Sequence, residues 1–326
     1  MSKKNDHILM AYRLDKKGGA QAIDTKNITD QITGDSLIWL HLQSDNKNSV
    51  KLLKKKELGL ESLVVEALLA DETRPRIAEF DNGTLIILRG VNLNEDSDPE
   101  DMVSIRLWID NKKIISVRKR KLKAVLDIEE KLKAGKGPTG PGDFICTLIS
   151  NLFNRVQPFI SSLDDKIDDI EENIIDSAES KQREIIISLR KQAIMFKRYM
   201  SPQKDVVNHL KNSGLKWLKA NDKRHLQESF DQVTRYIEDL DAIREKLQII
   251  KDELMNSLTE KLNKNTYVIS IIATIFLPLG FLTGVFGVNL AGIPGTDNPV
   301  SFWIFNSILL LILVLQIFLF KKFRWF

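Results

Sequence analysis

Five small residues, Thr266, Ala273, Gly280, Gly284 and Gly287, recur at helical spacings of three, four and seven along an apolar stretch that closes on Val288 and Asn289. Small side chains let a helix backbone approach a neighbour closely, and the pattern "GFLTG" (Gly280 to Gly284) is of the small-xxx-small kind. The same stripe serves two ends: it can pack helix against helix, or it can line a narrow path. The carboxamide of Asn289 can bond backbone or a hydrated ion. Thr266, Ser270 and Thr274 carry hydroxyls that can bond the carbonyls of their own helix. The chemistry on offer is weak oxygen ligation of a cation, repeated around an axis.

The elements that must hold these residues are membrane spans. No Asp, Glu, Lys, Arg or His occurs from Thr266 to Thr296, and none from Asn298 to Phe320. Each run is long enough to cross a hydrocarbon core of ~30 Å. Two spans in tandem, joined by glycine and proline, make a buried core helix a poor alternative. Lys261 and Lys264 precede the first span and Lys321, Lys322 and Arg324 follow the second, whereas the loop from Gly287 to Pro299 has no basic residue and one acid, Asp297. By the positive-inside rule both termini are expected in the cytoplasm. The N-terminal "MSKKNDHILMAYRLDKK" shows no cleavable leader pattern, and the lone Cys146 excludes an intrachain disulfide. The net charge of +4, with basic and acidic residues interleaved, gives no support to nucleic-acid binding.

Ahead of the spans the chain reads as an α+β domain. Strand-like runs stand at "ILMAYRL", "SLIWLHL", "RIAEF", "TLIILRGV", "VSIRLWI" and "KIISVRK", with "DNG" and "DNK" as hairpin turns, so the last four are expected to form an antiparallel meander. The stretch "NSVKLLKKKELGLESLVVEALLAD" has apolar residues at helical spacing and should pack on that sheet. This gives a cytoplasmic domain over 1–134, a Gly/Pro linker over 135–142 and a helical region over 143–221. The helical region includes the acidic run from Asp164 to Glu179 and a helix over about 181–199. A seam of Val233, Ile237, Leu240, Leu247, Ile250, Leu254, Leu258 and Leu262 then predicts one stalk helix over 222–286, whose first transmembrane part is about 266–286. An outer loop (287–299), a bulkier second span (300–320) facing lipid, and a basic tail (321–326) complete the chain.

The segment "YVISIIATIFLPLGFLTGVFGVN", a short loop, a second span and the basic "KKFRWF" together resemble the CorA superfamily of divalent-cation transporters, in which a Gly-Met-Asn triplet closes the pore helix. Here the triplet is Gly287-Val288-Asn289. Valine at its centre followed by "LAGIPG" is similar to the ZntB-like, zinc-associated branch. The resemblance implies a funnel-shaped homopentamer with Asn263, Thr266, Ala273, Leu277, Gly280 and Gly284 lining the path. Gly287, Val288 and Asn289 would form the outer selectivity ring, and Asp252 part of an acidic cytoplasmic entrance. Relatives often have threonine where Gly280 stands, so a polar ring at mid-pore is not implied here. Lys321, Lys322 and Arg324 would ring the cytoplasmic mouth.

The expected function is therefore transport of a divalent cation, Zn²⁺ by resemblance, with no enzyme activity and no bound cofactor. Nothing charged lies between Thr266 and Thr296, so the ion must pass with much of its water. No phosphate-loop motif is present to drive a pump, and uptake along the membrane potential is the default. ZntB-like proteins are proposed to couple to protons, but this segment has no carboxylate or histidine to relay one. His7, His41, His209, His225 and Cys146 are scattered, without the close spacing of a zinc cluster. A Mg²⁺/Co²⁺/Ni²⁺ channel of the CorA type is the alternative within the family. A membrane-anchored signalling or scaffold protein is the alternative from another class; an anchor needs neither the small-residue stripe nor the glycine-asparagine end.

Overall fold

A computed structural model describes residues 7–25, 28, 31, 36–176, 180–288, 293, 295 and 298–323. Glu179, Asn289, Asp297 and Arg324 lie outside the described residues. The chain divides into two units, residues 1–251 and 252–326.

The first unit is built on a seven-stranded sheet of β1 (Ile8–Leu14), β2 (Ala20–Ala22), β3 (Ile38–Gln43), β4 (Arg76–Phe80), β5 (Gly83–Gly90), β6 (Val103–Ile109) and β7 (Lys113–Arg118), in the order β2-β1-β3-β7-β6-β5-β4. Strands β4 to β7 form the expected antiparallel meander. Its turns follow from local chemistry. Asp81 and Asn82 make a two-residue hairpin loop between Phe80 and Gly83, which are register partners. At the next turn the Asp110 carboxylate accepts the N–H groups of Lys112 and Lys113, both at 2.8 Å. The β3–β7 pair is parallel, Ile38 opposite Lys113 through Gln43 opposite Arg118, and it joins the N-terminal hairpin to the meander.

Helices α1 (Lys47–Leu53) and α2 (Ser62–Leu69) cover one face of the sheet. Between them Gly59 ends a short 3-10 turn (Lys56–Leu58) at φ +60°, a left-handed conformation that costs glycine little. Leu52, Leu53, Leu58, Val64, Val65 and Leu68 pack there against Leu40, Leu42, Leu85, Trp108, Ile115 and Val117. Burying a side chain of this size contributes roughly 1.5–3 kcal/mol. Trp39 meets Phe144 edge to face at 5.1 Å. Trp39 Nε1 donates to Ser116 Oγ at 2.9 Å, and the fully buried His41 shares that hydroxyl at 2.8 Å.

Beyond α3 (Lys123–Lys133) the helical region opens with two helices, α4 (Pro141–Asn154) and α5 (Gln157–Asp176). The break falls just before Pro158, where a proline is tolerated only in a first helical turn. Helix α6 runs from Ser180 to Asn212, well past the expected end, with Pro202 inside it. Contacts with the sheet hold it there: the Gln203 side chain is fully buried and accepts the backbone N–H of Arg89 at 2.9 Å. Helix α7 (Ala220–Phe286) is one helix of 67 residues, with Val233, Leu240, Leu247, Ile250 and Leu254 of its apolar seam buried.

The second unit contains the end of α7 and α8 (Ser301–Lys322). Both are long and apolar enough to cross a membrane, and they are its two candidate spans.

Candidate functional site: the face of α7 left open by α8

Helix α8 meets α7 on one side only. Phe286 and Phe305 meet with tilted rings, centroids 5.2 Å apart, and Ile271, Ile275, Pro278, Leu279 and Leu282 of α7 are partly covered. On α7 the residues read from the sequence as pore-lining, Asn263, Thr266, Ala273, Leu277, Gly280 and Gly284, are all exposed in the single chain, Leu277 at 73%. They fall on a common face because their spacings are three, seven, four, three and four. A Cβ added at Gly280 or Gly284 would meet nothing within 4 Å. The small-residue stripe is therefore not the surface on which α8 packs.

The hydroxyls along this segment are turned back on their own helix. Ser270 Oγ donates to Thr266 O at 2.8 Å, Thr274 Oγ1 to Ser270 O at 2.7 Å, and Thr283 Oγ1 to Leu279 O at 2.9 Å. Their oxygen lone pairs remain as acceptors. At the helix end Gly287 N–H donates to Thr283 O at 2.8 Å, and a Cβ on Gly287 would lie 2.7 Å from that same carbonyl oxygen. Only glycine fits there without a shift. Val288 follows, about half exposed, and Asn289 lies outside the described residues.

Pro278 has no N–H for the carbonyl one turn before it, that of Thr274. Gln316 of α8 supplies the missing donor: its Nε2 bonds to Thr274 O at 3.2 Å. The Oε1 of Gln316 is buried without a hydrogen-bond partner among the described residues. Sequence reading passed over this residue as part of a uniformly apolar span. The signal was there, since a lone glutamine in an apolar span must find a partner and a proline in the facing span creates one. Asn306 and Ser307 return to carbonyls of α8 itself, Phe302 and Trp303.

Among the described residues no group of three or more His, Cys, Asp or Glu side chains gathers to hold a metal ion. Asp252 is exposed at the start of the second unit, and Lys321 and Lys322 are exposed at the end of α8, where positive charge suits a helix C-terminus. The described part of the acidic run lies along α5, and three of its carboxylates face a cation of the protein's own. Lys246 bonds to Asp168 and lies 4.0 Å from Asp164 and 3.9 Å from Glu171. Those carboxylates, Asp168 first, raise the lysine's affinity for its proton. Cys146 is buried, with its thiol pushed up by burial, and donates to the Asp222 carbonyl. His209 pairs with Glu79 at 2.8 Å.

A mixed sheet with helices, one long helix and a C-terminal pair of apolar helices with one face open define a class of membrane protein. The chain belongs to the family described as CorA-like Mg²⁺ transporter protein, whose model matches residues 34–322. It is thus a membrane protein of a family of divalent-cation transporters, not of enzymes. It is 38% identical over 315 residues to the zinc transport protein ZntB of Pectobacterium carotovorum subsp. carotovorum, covering 97% of this chain and 95% of that one. It is 34% identical over 322 residues to the divalent cation transporter CmaX of Pseudomonas aeruginosa, covering 98% and 96%. The solved structure of full-length CmaX matches with a TM-score of 0.85 at 32% identity, over 100% of both chains.

Proposed function

We propose that this protein carries Zn²⁺ into the cell through a homopentamer in the inner membrane, with both termini in the cytoplasm. In this reading residues 1–134 and 143–221 form the cytoplasmic body and 222–286 the stalk and pore helix. Asn263, Thr266, Ala273, Leu277, Gly280 and Gly284 of each copy line the path, and Gly287, Val288 and Asn289 form its outer ring. Asp252 contributes to the acidic entrance; Asp297 lies in the outer loop, and Lys321, Lys322 and Arg324 anchor the cytoplasmic side. The observation that carries the proposal is the open face of α7, with free space at Gly280 and Gly284 where α8 could have packed and does not. One α7–α8 pair cannot enclose an aqueous path, so the face finds its use between copies.

The chemistry follows from what lines that face. No charged side chain lies between Thr266 and Thr296, so no group there can replace the inner water shell of a divalent ion, and the ion travels hydrated. Carbonyls, hydroxyl lone pairs and the Asn289 carboxamide hold its water, and a ring multiplies each weak ligand. A negative interior contributes about 2.3 kcal/mol per charge per 100 mV, or ~4.6 for a divalent ion, which favours inward movement. Proton coupling, on this account, runs through water or the acids of the cytoplasmic side. Zinc rests on the kinship with ZntB, and Mg²⁺ is the competing cargo because the chain belongs to the family of CorA-like Mg²⁺ transporters.

The test is metal flux into liposomes holding the purified protein, comparing Zn²⁺ with Mg²⁺, Co²⁺ and Ni²⁺ with and without a pH gradient. Zn²⁺ flux that responds to the gradient supports the proposed cargo and its coupling to protons. Mg²⁺ or Co²⁺ flux indifferent to pH assigns a different cargo, and no flux at all contradicts it.

A further inference from the structure

In the first unit, beside the ends of β5, β6 and α2, lies a cleft of about 530 Å³ whose lining is cationic. Six basic side chains line it: Arg74, Arg89, Arg106, Lys119, Arg120 and Arg198. Three acids stand against them, Asp71, Glu72 and Asp101, so six positive and three negative charges leave +3. Two of the acids are engaged within the lining: Asp71 accepts from Lys119 at 2.7 Å and Asp101 from Arg120 at 2.6 Å. A divalent cation has no reason to enter such a place.

Two arginines at the floor of the cleft are held by carbonyls, not by carboxylates. Arg89 donates Nε and Nη2 to Thr73 O at 3.0 and 2.8 Å and Nη1 to Met102 O at 2.6 Å, and its guanidinium lies 4.3 Å from the centre of the Tyr199 ring. Arg106 is 1% exposed; its Nη2 donates to Ala70 O at 2.5 Å, while Nε and Nη1 meet no acceptor among the described residues. No described carboxylate lies within ion-pair distance of either. Burial and then the neighbouring Arg89 charge push Arg106 toward losing its proton, and Asp71 opposes them only in part. A buried cation without a counter-charge is expensive to keep. The hydroxyls of Thr73 and Ser104, 2.8 Å apart, add polar groups to the same wall.

We propose that this cleft binds an oxyanion of the phosphate class, whether free phosphate or the phosphates of a nucleotide. Guanidinium forks match tetrahedral oxyanions with paired, charge-assisted hydrogen bonds. The volume lies within the range of small-molecule sites. The bound anion supplies the negative charge that Arg89 and Arg106 lack, and Arg74 and Arg198 close over it from the rim. This site lies in the first unit and is independent of the cargo carried by the second.

The experiment is thermal unfolding of the full-length protein in detergent and metal-free buffer, titrated with inorganic phosphate, pyrophosphate or ATP at constant ionic strength set by chloride. A ligand that binds only the folded state raises the unfolding temperature with a saturable dependence. The expected result is such a rise with at least one of the three, and a half-saturating concentration about tenfold or more higher after the paired rim substitution Arg74→Ser and Arg198→Ser. Tighter action of pyrophosphate or ATP would identify a polyphosphate ligand, and equal action of inorganic phosphate a free anion. Stabilisation that chloride reproduces, no stabilisation by any of the three, or saturation unchanged in the rim variant would overturn the proposal.

Discussion

Gln316 of α8 donates its side-chain N–H to the carbonyl of Thr274 on α7, the acceptor that Pro278 leaves without a helical partner. A proline inside a membrane helix is tolerable only where the freed carbonyl is met by something other than lipid. Here the facing span meets it, and the register of α8 on α7 is set by the same bond.

A double-mutant cycle reads this coupling. Gln316→Leu is expected to cost about 1 kcal/mol of stability in detergent, in line with polar contacts between membrane helices. In a Pro278→Ala background the helix supplies its own N–H to Thr274, and Gln316→Leu should then cost little. Equal costs in both backgrounds would separate the glutamine from the proline.

The open stripe makes a prediction that distinguishes folding from assembly. Since a Cβ at Gly280 or Gly284 meets nothing in one chain, Gly280→Leu and Gly284→Leu should leave helix content unchanged. They should reduce flux by an order of magnitude or more, or shrink the oligomer measured by light scattering. Unaltered flux and unaltered size together would show that no neighbour and no ion uses that face.

At the outer end two substitutions should act differently. Asn289→Ala removes the carboxamide proposed to hold the hydrated ion and should abolish flux while the oligomer persists. Gly287→Ala drives a methyl into the Thr283 carbonyl, 2.7 Å away, so it should alter the helix end itself and weaken both assembly and flux. Normal transport by Asn289→Ala would remove that residue from the selectivity ring.

One fully buried histidine should make the first unit sensitive to acid. Burial, then the nearby Arg118 charge, lower the pKa of His41 from 6.5 to about 3. The unfolded chain therefore takes up a proton that the folded chain refuses, and stability falls as pH drops from 6.5 toward 3, by up to about 1.4 kcal/mol per pH unit. Denaturant titrations of the full chain at several pH values should show this slope, and His41→Gln should flatten it between pH 4 and 6. An unchanged slope in the variant would assign the effect elsewhere.

Much of the fold could be read from residue patterns because its signals are local. "ILMAYRL", "RIAEF" and "VSIRLWI" coincide with β1, β4 and β6, and the Asp81-Asn82 and Asp110 turns sit where the chain reverses. What could not be read is what depends on distant partners. The three residues of β2 carry no strand signal of their own, and nothing in "SLIWLHL" says that β3 will lie parallel to β7. The Pro202 helix persists because the sheet holds Gln203. In the same way, the stripe at Thr266, Ala273, Gly280 and Gly284 was legible as a face, whereas Gln316 and Pro278 signalled only that each needs a partner, and the packed spans show that the two needs are met by one bond, from Gln316 to Thr274. The cationic cleft was invisible for that reason also, since Arg74, Arg89, Arg106 and Arg198 meet only once the sheet and α6 are in place.

If the open face of α7 lines the ion's path, site-directed thiol labelling will find that face wet. Cys146 is buried with a thiol reluctant to ionise, so single cysteines introduced elsewhere report cleanly. In liposomes, Thr266→Cys, Ala273→Cys and Gly280→Cys should react with a small hydrophilic reagent, lose Zn²⁺ flux on reaction, and be protected by Zn²⁺. Ile271→Cys, Ile275→Cys and Leu279→Cys, on the covered side, should do none of these. Labelling and block on the covered side, with the open face inert, would contradict the account.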